Sequence, residues 1–164
     1  MNAKEFVESA RQNYPSLPNA KALALLEADE EFRFAVCEEL NKTVAAPDRE
    51  LVRYITKLNI QTCNDSWESL DPFRLCGLLL YKIGNVEDSV LLWQVKELNF
   101  DTACALDVQM LTGAGIDETI AYLRSLDTKF ALDAARRIEV NRDIFPDEDF
   151  VDVWETYFGY RTSG

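Results

Sequence analysis

The chain has no histidine among its 164 residues. The side chain that most often serves as a general base near neutral pH, and most often ligates transition metals, is therefore missing, which leaves carboxylates and thiols for any catalysis. The cysteines Cys37, Cys63, Cys76 and Cys104 are widely spaced and lack a paired metal-ligand pattern. They read as reduced, partly buried thiols. Bases are scarce, 17 against 29 acids, for a formal charge of −12. Such a surface repels phosphates and anionic lipid and attracts basic partners. No apolar run is long enough to cross a bilayer, and residues 1–6 have no apolar segment behind their charge. The expectation is a soluble cytoplasmic protein without a signal peptide and without membrane contact.

What is present argues for a packed core. The apolar share is 48% and there are three tryptophans, at a length suited to one domain. We expect a single helical domain over residues 1–160, with 161–164 as a flexible terminus. Phe6, Val7 and Ala10 mark the inner stripe of a first helix, ended by Tyr14-Pro15-Ser16-Leu17-Pro18. Asn19 caps a second, with Ala22, Leu23, Leu25 and Leu26 as its apolar face. Phe32, Ala35, Val36 and Leu40 recur at helical spacing, residues 41–47 read as a linker, and Pro47 opens a helix through Leu58. Trp67, in a less periodic stretch, reads as a packing anchor.

Residues 73–126 contain one helix-turn-helix unit written twice. A shift of about thirty residues lays Leu80 to Val90 over Met110 to Ile120: an apolar segment, a glycine turn, a β-branched residue, two acids, a hydroxyl residue and another β-branched residue. Asp71-Pro72 begins the first copy, whose very apolar helix is expected at the centre. Gly84-Asn85 ends that helix in left-handed backbone, and Trp93 fills a joint between units. In the second copy, Asp101 or Thr102 caps a helix from Ala103 through Leu111. Gly113-Ala114-Gly115 is a structural turn, because no Lys-Ser/Thr pair follows and no strand precedes it. A modified third copy spans 128–157. The fold class expected is all-α: a single-domain α/α-repeat or TPR/HEAT-like helical array with modified terminal caps.

Two acidic stretches stand out at the ends of the chain. Glu27, Asp29, Glu30, Glu31, Glu38 and Glu39 cluster in the second and third helices, and Asp147, Glu148, Asp149, Asp152 and Glu155 in the last. Each reads either as a solvated helix face or as a contact surface for a cationic protein. The terminal acids do not match a calcium loop, and proximity in sequence among Asp147, Asp149 and Glu155 does not make an acid-base pair. Arg124, Lys129, Arg136, Arg137 and Arg142 form the most basic region, but Asp127, Asp133, Glu139 and Asp143 dilute it, so nucleic-acid binding is not expected. No cofactor, metal site or catalytic residue is expected.

The stretch Leu91-Leu92-Trp93-Gln94-Val95-Lys96, with Phe100-Asp101-Thr102-Ala103-Cys104-Ala105-Leu106-Asp107-Val108-Gln109 and Gly113-Ala114-Gly115, resembles small all-helical immunity proteins of bacterial polymorphic toxin systems. The resemblance covers mainly residues 71–126. It implies a cytoplasmic protein that binds and sterically neutralises a cognate toxin, and it brings no position-specific inhibitory motif onto this chain. The leading expectation is such an immunity protein, binding a basic toxin domain through one or both acidic stretches. The alternative is an intracellular helical scaffold or adaptor for a non-toxin protein, and the third reading a small carboxylate-dependent enzyme.

Overall fold

Local signals start most of the helices. The Asn2 side chain accepts the Glu5 N–H at 2.9 Å while Glu5 accepts the Asn2 N–H at 3.0 Å, a reciprocal cap that opens α1 (Ala3–Gln12). Asn19 caps α2 (Ala20–Ala28) through the Ala22 N–H, and Asp29 caps α3 (Glu30–Asn41) through the Phe32 N–H. A 3-10 turn, Ala46–Asp48, carries Pro47 into α4 (Arg49–Thr62). Then follow α5 (Asp71–Ile83), α6 (Asp88–Lys96), α7 (Phe100–Ala105), a 3-10 turn at Val108–Thr112, α8 (Ile116–Ser125), α9 (Lys129–Val140), another 3-10 turn at Arg142–Ile144, and α10 (Phe150–Tyr157). The computed structural model describes residues 1–63, 69–144 and 149–160, and among these there is no strand. The fold is all-α. Trp67, Asp147, Glu148 and the 161–164 terminus lie outside the described residues.

The central position of α5 is as expected. Phe73, Leu75, Cys76, Leu78, Leu79 and Leu80 are all buried, and α5 packs against α3, α4, α6, α7, α10 and the Val108–Thr112 turn. A helix with apolar residues around most of its circumference has to be covered on most sides. Trp93, also buried, sits on α6, which meets both α8 and α9. Several apolar side chains assigned inward instead face solvent: Leu25, Leu98, Phe130, Val153 and Tyr157. These helices lean on the core along a narrower stripe than their composition offers.

The duplication is carried only in part by the backbone. Both copies keep the turn and the helix after it, and the paired hydroxyls behave alike. Buried Ser89 donates to the Val86 carbonyl at 2.7 Å and buried Thr119 to the Gly115 carbonyl at 2.6 Å. The helix expected from Ala103 through Leu111 is not continuous: Asn99 caps α7 at Phe100, and the chain leaves helical backbone at Leu106. The cap is thus Asn99, not Asp101 or Thr102, because the Asn99 side chain and the Thr102 hydroxyl satisfy each other's backbone N–H groups. A regular stack of like units is therefore not what residues 100–125 form.

The two glycine turns touch. Gly84 ends α5 at φ 74°, and a Cβ placed on it would lie 3.1 Å from the Gly113 carbonyl oxygen. Gly113 has ordinary right-handed backbone, but a Cβ there would stand 2.4 Å from the Tyr81 carbonyl oxygen. The first glycine is needed for its conformation and the second for close approach.

Two aspartates are used inside the molecule. Asp48 is clamped by Arg11 of α1 through Nε to Oδ1 and Nη2 to Oδ2, both at 2.8 Å. Asp88, buried at the start of α6, receives Arg49 Nε at 3.0 Å and a close contact from Arg53 Nη1. The Asp88 bond is the main reason the Arg49 guanidinium pKa is raised. The acids at the helix starts were expected only to complement the helix ends; Asp88 also joins α6 to α4.

Candidate functional site

The acidic stretch of α2 and α3 divides once its side chains are placed. Glu27 accepts a hydrogen bond from the Tyr54 hydroxyl at 2.7 Å, Asp29 is spent on its cap, and Glu39 pairs with Lys42. Glu38 is half-buried and faces Tyr160. Burial first, and the Glu38 charge second, push the Tyr160 phenol well above its usual value. Glu30 and Glu31 remain exposed in the first turn of α3, with no side-chain hydrogen bond or ion pair to any described residue.

These two glutamates line one side of an open groove of about 250 Å³. Phe34, one turn further along α3, supplies an apolar wall, and Ser69, Asp71 and Pro72 at the start of α5 form the other side. Pro72 fits the first turn of α5 as expected, but Asp71 is itself helical and is not the cap. Its Oδ1 instead accepts Arg74 Nη1 at 2.8 Å and the Tyr157 hydroxyl at 2.9 Å. That bond is the chief reason the Tyr157 phenol is raised. The Arg74 guanidinium also lies 5.8 Å from the Tyr157 ring centroid, which places α10 beside the groove.

The last helix, α10, reaches this side of the molecule, and none of its described acids lines the groove. Phe158 packs on Phe34 with centroids 6.5 Å apart. Glu155 turns inward and takes Lys82 at 2.7 Å, while Lys82 also donates to Asn41 Oδ1 at 3.0 Å, so that one ammonium joins α10, α5 and α3. Asp152 is half-buried, Asp149 is exposed ahead of α10, and both make further contacts. Of the nine described acids among those singled out from the sequence, Glu30 and Glu31 line this groove. Sequence reasoning passed over Phe34, whose position off the Phe32-Val36-Leu40 stripe was the available signal, and did not count Asp71 as a site residue.

Two other concavities carry mixed charge. A cleft of about 640 Å³ is lined by Trp93, Lys96, Asp107, Arg137 and Trp154, among others. Lys96 Nζ donates there to the Ala103 and Leu106 carbonyls at 2.6 and 2.5 Å. Burial, followed by the Arg137 charge, lowers its pKa. The Gly113 and Gly115 turns line a second cleft, in which Asp117 is already paired with Arg142. Among the described residues, no three acidic or cysteine side chains converge to hold a metal. No helix there is long and apolar enough to cross a membrane. The basic stretch is matched internally in part, Arg124 to Glu139 and Lys129 and Arg136 to Asp133.

No known protein family, curated protein or solved structure matches the chain. Function is therefore argued from the residues that shape the sites.

Proposed function

We propose that the protein is an immunity-type inhibitor, which binds a basic toxin domain at the groove between α3 and the start of α5 and blocks it sterically. One observation carries the reading: Glu30 and Glu31 keep unpaired charge at the mouth of a groove with an apolar wall. A cationic side chain can lay its alkyl stem on Phe34 and Pro72 and bring its charge to the two carboxylates. Asp71 adds less, because Arg74 already neutralises it. The net charge of −12 steers a basic protein toward this surface and speeds its encounter. No bond is made or broken in this mode of action, and the sequence's lack of histidine places no limit on it.

The test is calorimetric titration with the product of an adjacent toxin gene, paired with an assay of that toxin's activity. Wild type should bind in a salt-sensitive manner and abolish the activity. The double variant Glu30→Lys/Glu31→Lys should lose at least about tenfold in affinity, or 1.4 kcal/mol, and inhibit correspondingly less. Equal affinity of the variant and wild type would remove the groove from the interface. Lack of any salt-sensitive association would end the immunity reading.

A further inference from the structure

Beyond the groove, the structure buries a cation, Arg33 of α3. Its three hydrogen bonds go to uncharged acceptors: Nε to Asn59 Oδ1 at 2.9 Å, Nη1 to the Leu26 carbonyl at 2.8 Å and Nη2 to Thr62 Oγ1 at 2.9 Å. No carboxylate pairs with it among the described residues. A buried guanidinium needs a counter-charge.

The Asn59 side chain links Arg33 to two buried thiols, Cys37 and Cys76, and a thiolate there would supply that charge. Because Asn59 presents its oxygen to Arg33, its Nδ2 faces the other way and donates to Cys76 Sγ at 3.8 Å. Cys37, one turn along α3 from Arg33, places its sulfur 3.8 Å from Cys76 Sγ. The Cys76 sulfur thus accepts an N–H and also shares an S–H hydrogen bond with Cys37, in which either sulfur can be the donor. Acceptance of the Cys37 S–H, aided by the Arg33 charge, lowers the Cys76 thiol pKa against the cost of burial, while the Cys37 thiol is pushed up. The result is a pair of buried thiols in contact, of which Cys76 is the more readily ionised.

We propose that Cys37 and Cys76 are a peroxide-oxidised pair, whose disulfide fastens α3 to α5 one helical turn beyond the groove residues Phe34 and Pro72. The Cys76 thiolate attacks one oxygen of hydrogen peroxide, the O–O bond breaks, and hydroxide leaves, giving a sulfenic acid at Cys76. Cys37 sulfur then attacks Cys76 sulfur: the S–S bond forms, the S–O bond breaks, and the hydroxyl leaves as water with the Cys37 proton. Both cysteines are oxidised and one peroxide is reduced to water and hydroxide. Peroxide is close to water in size and reaches these sulfurs through small local openings that exclude bulky reagents. This inference is independent of what occupies the groove.

The whole protein is exposed to hydrogen peroxide at neutral pH and mapped by non-reducing peptide mass spectrometry. The expected product has lost two hydrogens and contains a Cys37–Cys76 linked peptide that dithiothreitol releases. In Cys37→Ser, peroxide treatment followed by unfolding in urea with dimedone present should instead trap a sulfenic acid at Cys76. If Cys37 and Cys76 stay reduced while exposed Cys104 takes up oxygen, the proposal is overturned. It is equally overturned if folded Cys37→Ser, verified by circular dichroism, gives no dimedone adduct. Should that variant not fold, the wild-type map decides alone.

Discussion

At the scale of single residues, the same chemical type takes opposite roles according to its neighbours. Asp88 and Glu118 occupy equivalent places in the duplicated unit, yet Asp88 is buried between Arg49 and Arg53 and Glu118 is exposed. Removing the Asp88 charge takes away the buried partner of both guanidinium groups and leaves them only the exposed Glu50 and Glu87. Asp88→Asn should therefore cost about 3 kcal/mol in urea unfolding, at the low end for a broken buried pair. Glu118→Gln should stay within about 0.5 kcal/mol; similar losses for both would refute the assignment. Tyr160 sets a pH dependence. Its pKa is raised on folding above an ordinary value of 10.0, so its contribution is complete below pH 10 and is lost as pH climbs from there toward the folded-state value. Stability followed by tryptophan fluorescence should fall above pH 10, and Tyr160→Phe should flatten that fall.

At the scale of elements, contacts between turns matter as much as contacts between helices. The end of α5 and the turn before α8 meet where Gly113 lies against the Tyr81 backbone, with the Tyr81 Cα 2.8 Å and its carbonyl carbon 2.9 Å from a would-be Cβ. The obstructing atoms are backbone and cannot rotate aside. Gly113→Ala should destabilise by about 1–3 kcal/mol through overpacking, read from the denaturant midpoint. Because φ at Gly113 is −58°, this loss reports contact and not backbone conformation. The duplicated pattern was legible in the sequence since both turns need small residues. That one turn would rest on the other was not, because spacing along the chain says nothing about which surfaces meet.

At the scale of the whole molecule, internal ion pairs act as long-range ties in a strongly acidic chain. Arg11 to Asp48, Arg49 to Asp88 and Lys82 to Glu155 join helices distant in sequence, and the buried apolar side chains form one cluster from Phe6 to Phe150. With no second core to unfold separately, urea should produce a single transition that coincides by far-ultraviolet circular dichroism and tryptophan fluorescence. Two resolved transitions would separate the N-terminal helices from the remainder. The acids consumed by these ties also narrow the surface available to a partner, leaving Glu30 and Glu31 as unpaired charge at the groove.

What the sequence by itself determined is the helical class, the Asn19 cap of α2, the Asp71-Pro72 opening of α5, and the central place of α5. Those features depend on local capping and on apolar spacing, which act within a few residues. Only the tertiary structure decided which charges lose their water. Arg33, inside an acidic stretch, is buried and hydrogen-bonded to Asn59; Asp88, at a helix start, joins α4 to α6; Asp71, at the head of α5, binds α10 through Tyr157. Glu30, Glu31 and Phe34 become a groove because α5 begins beside them. Helical periodicity assigns a residue to a face of its own helix, whereas the packing of helices against one another determines what that face meets. Desolvation, charge pairing and concavity all arise at that second step.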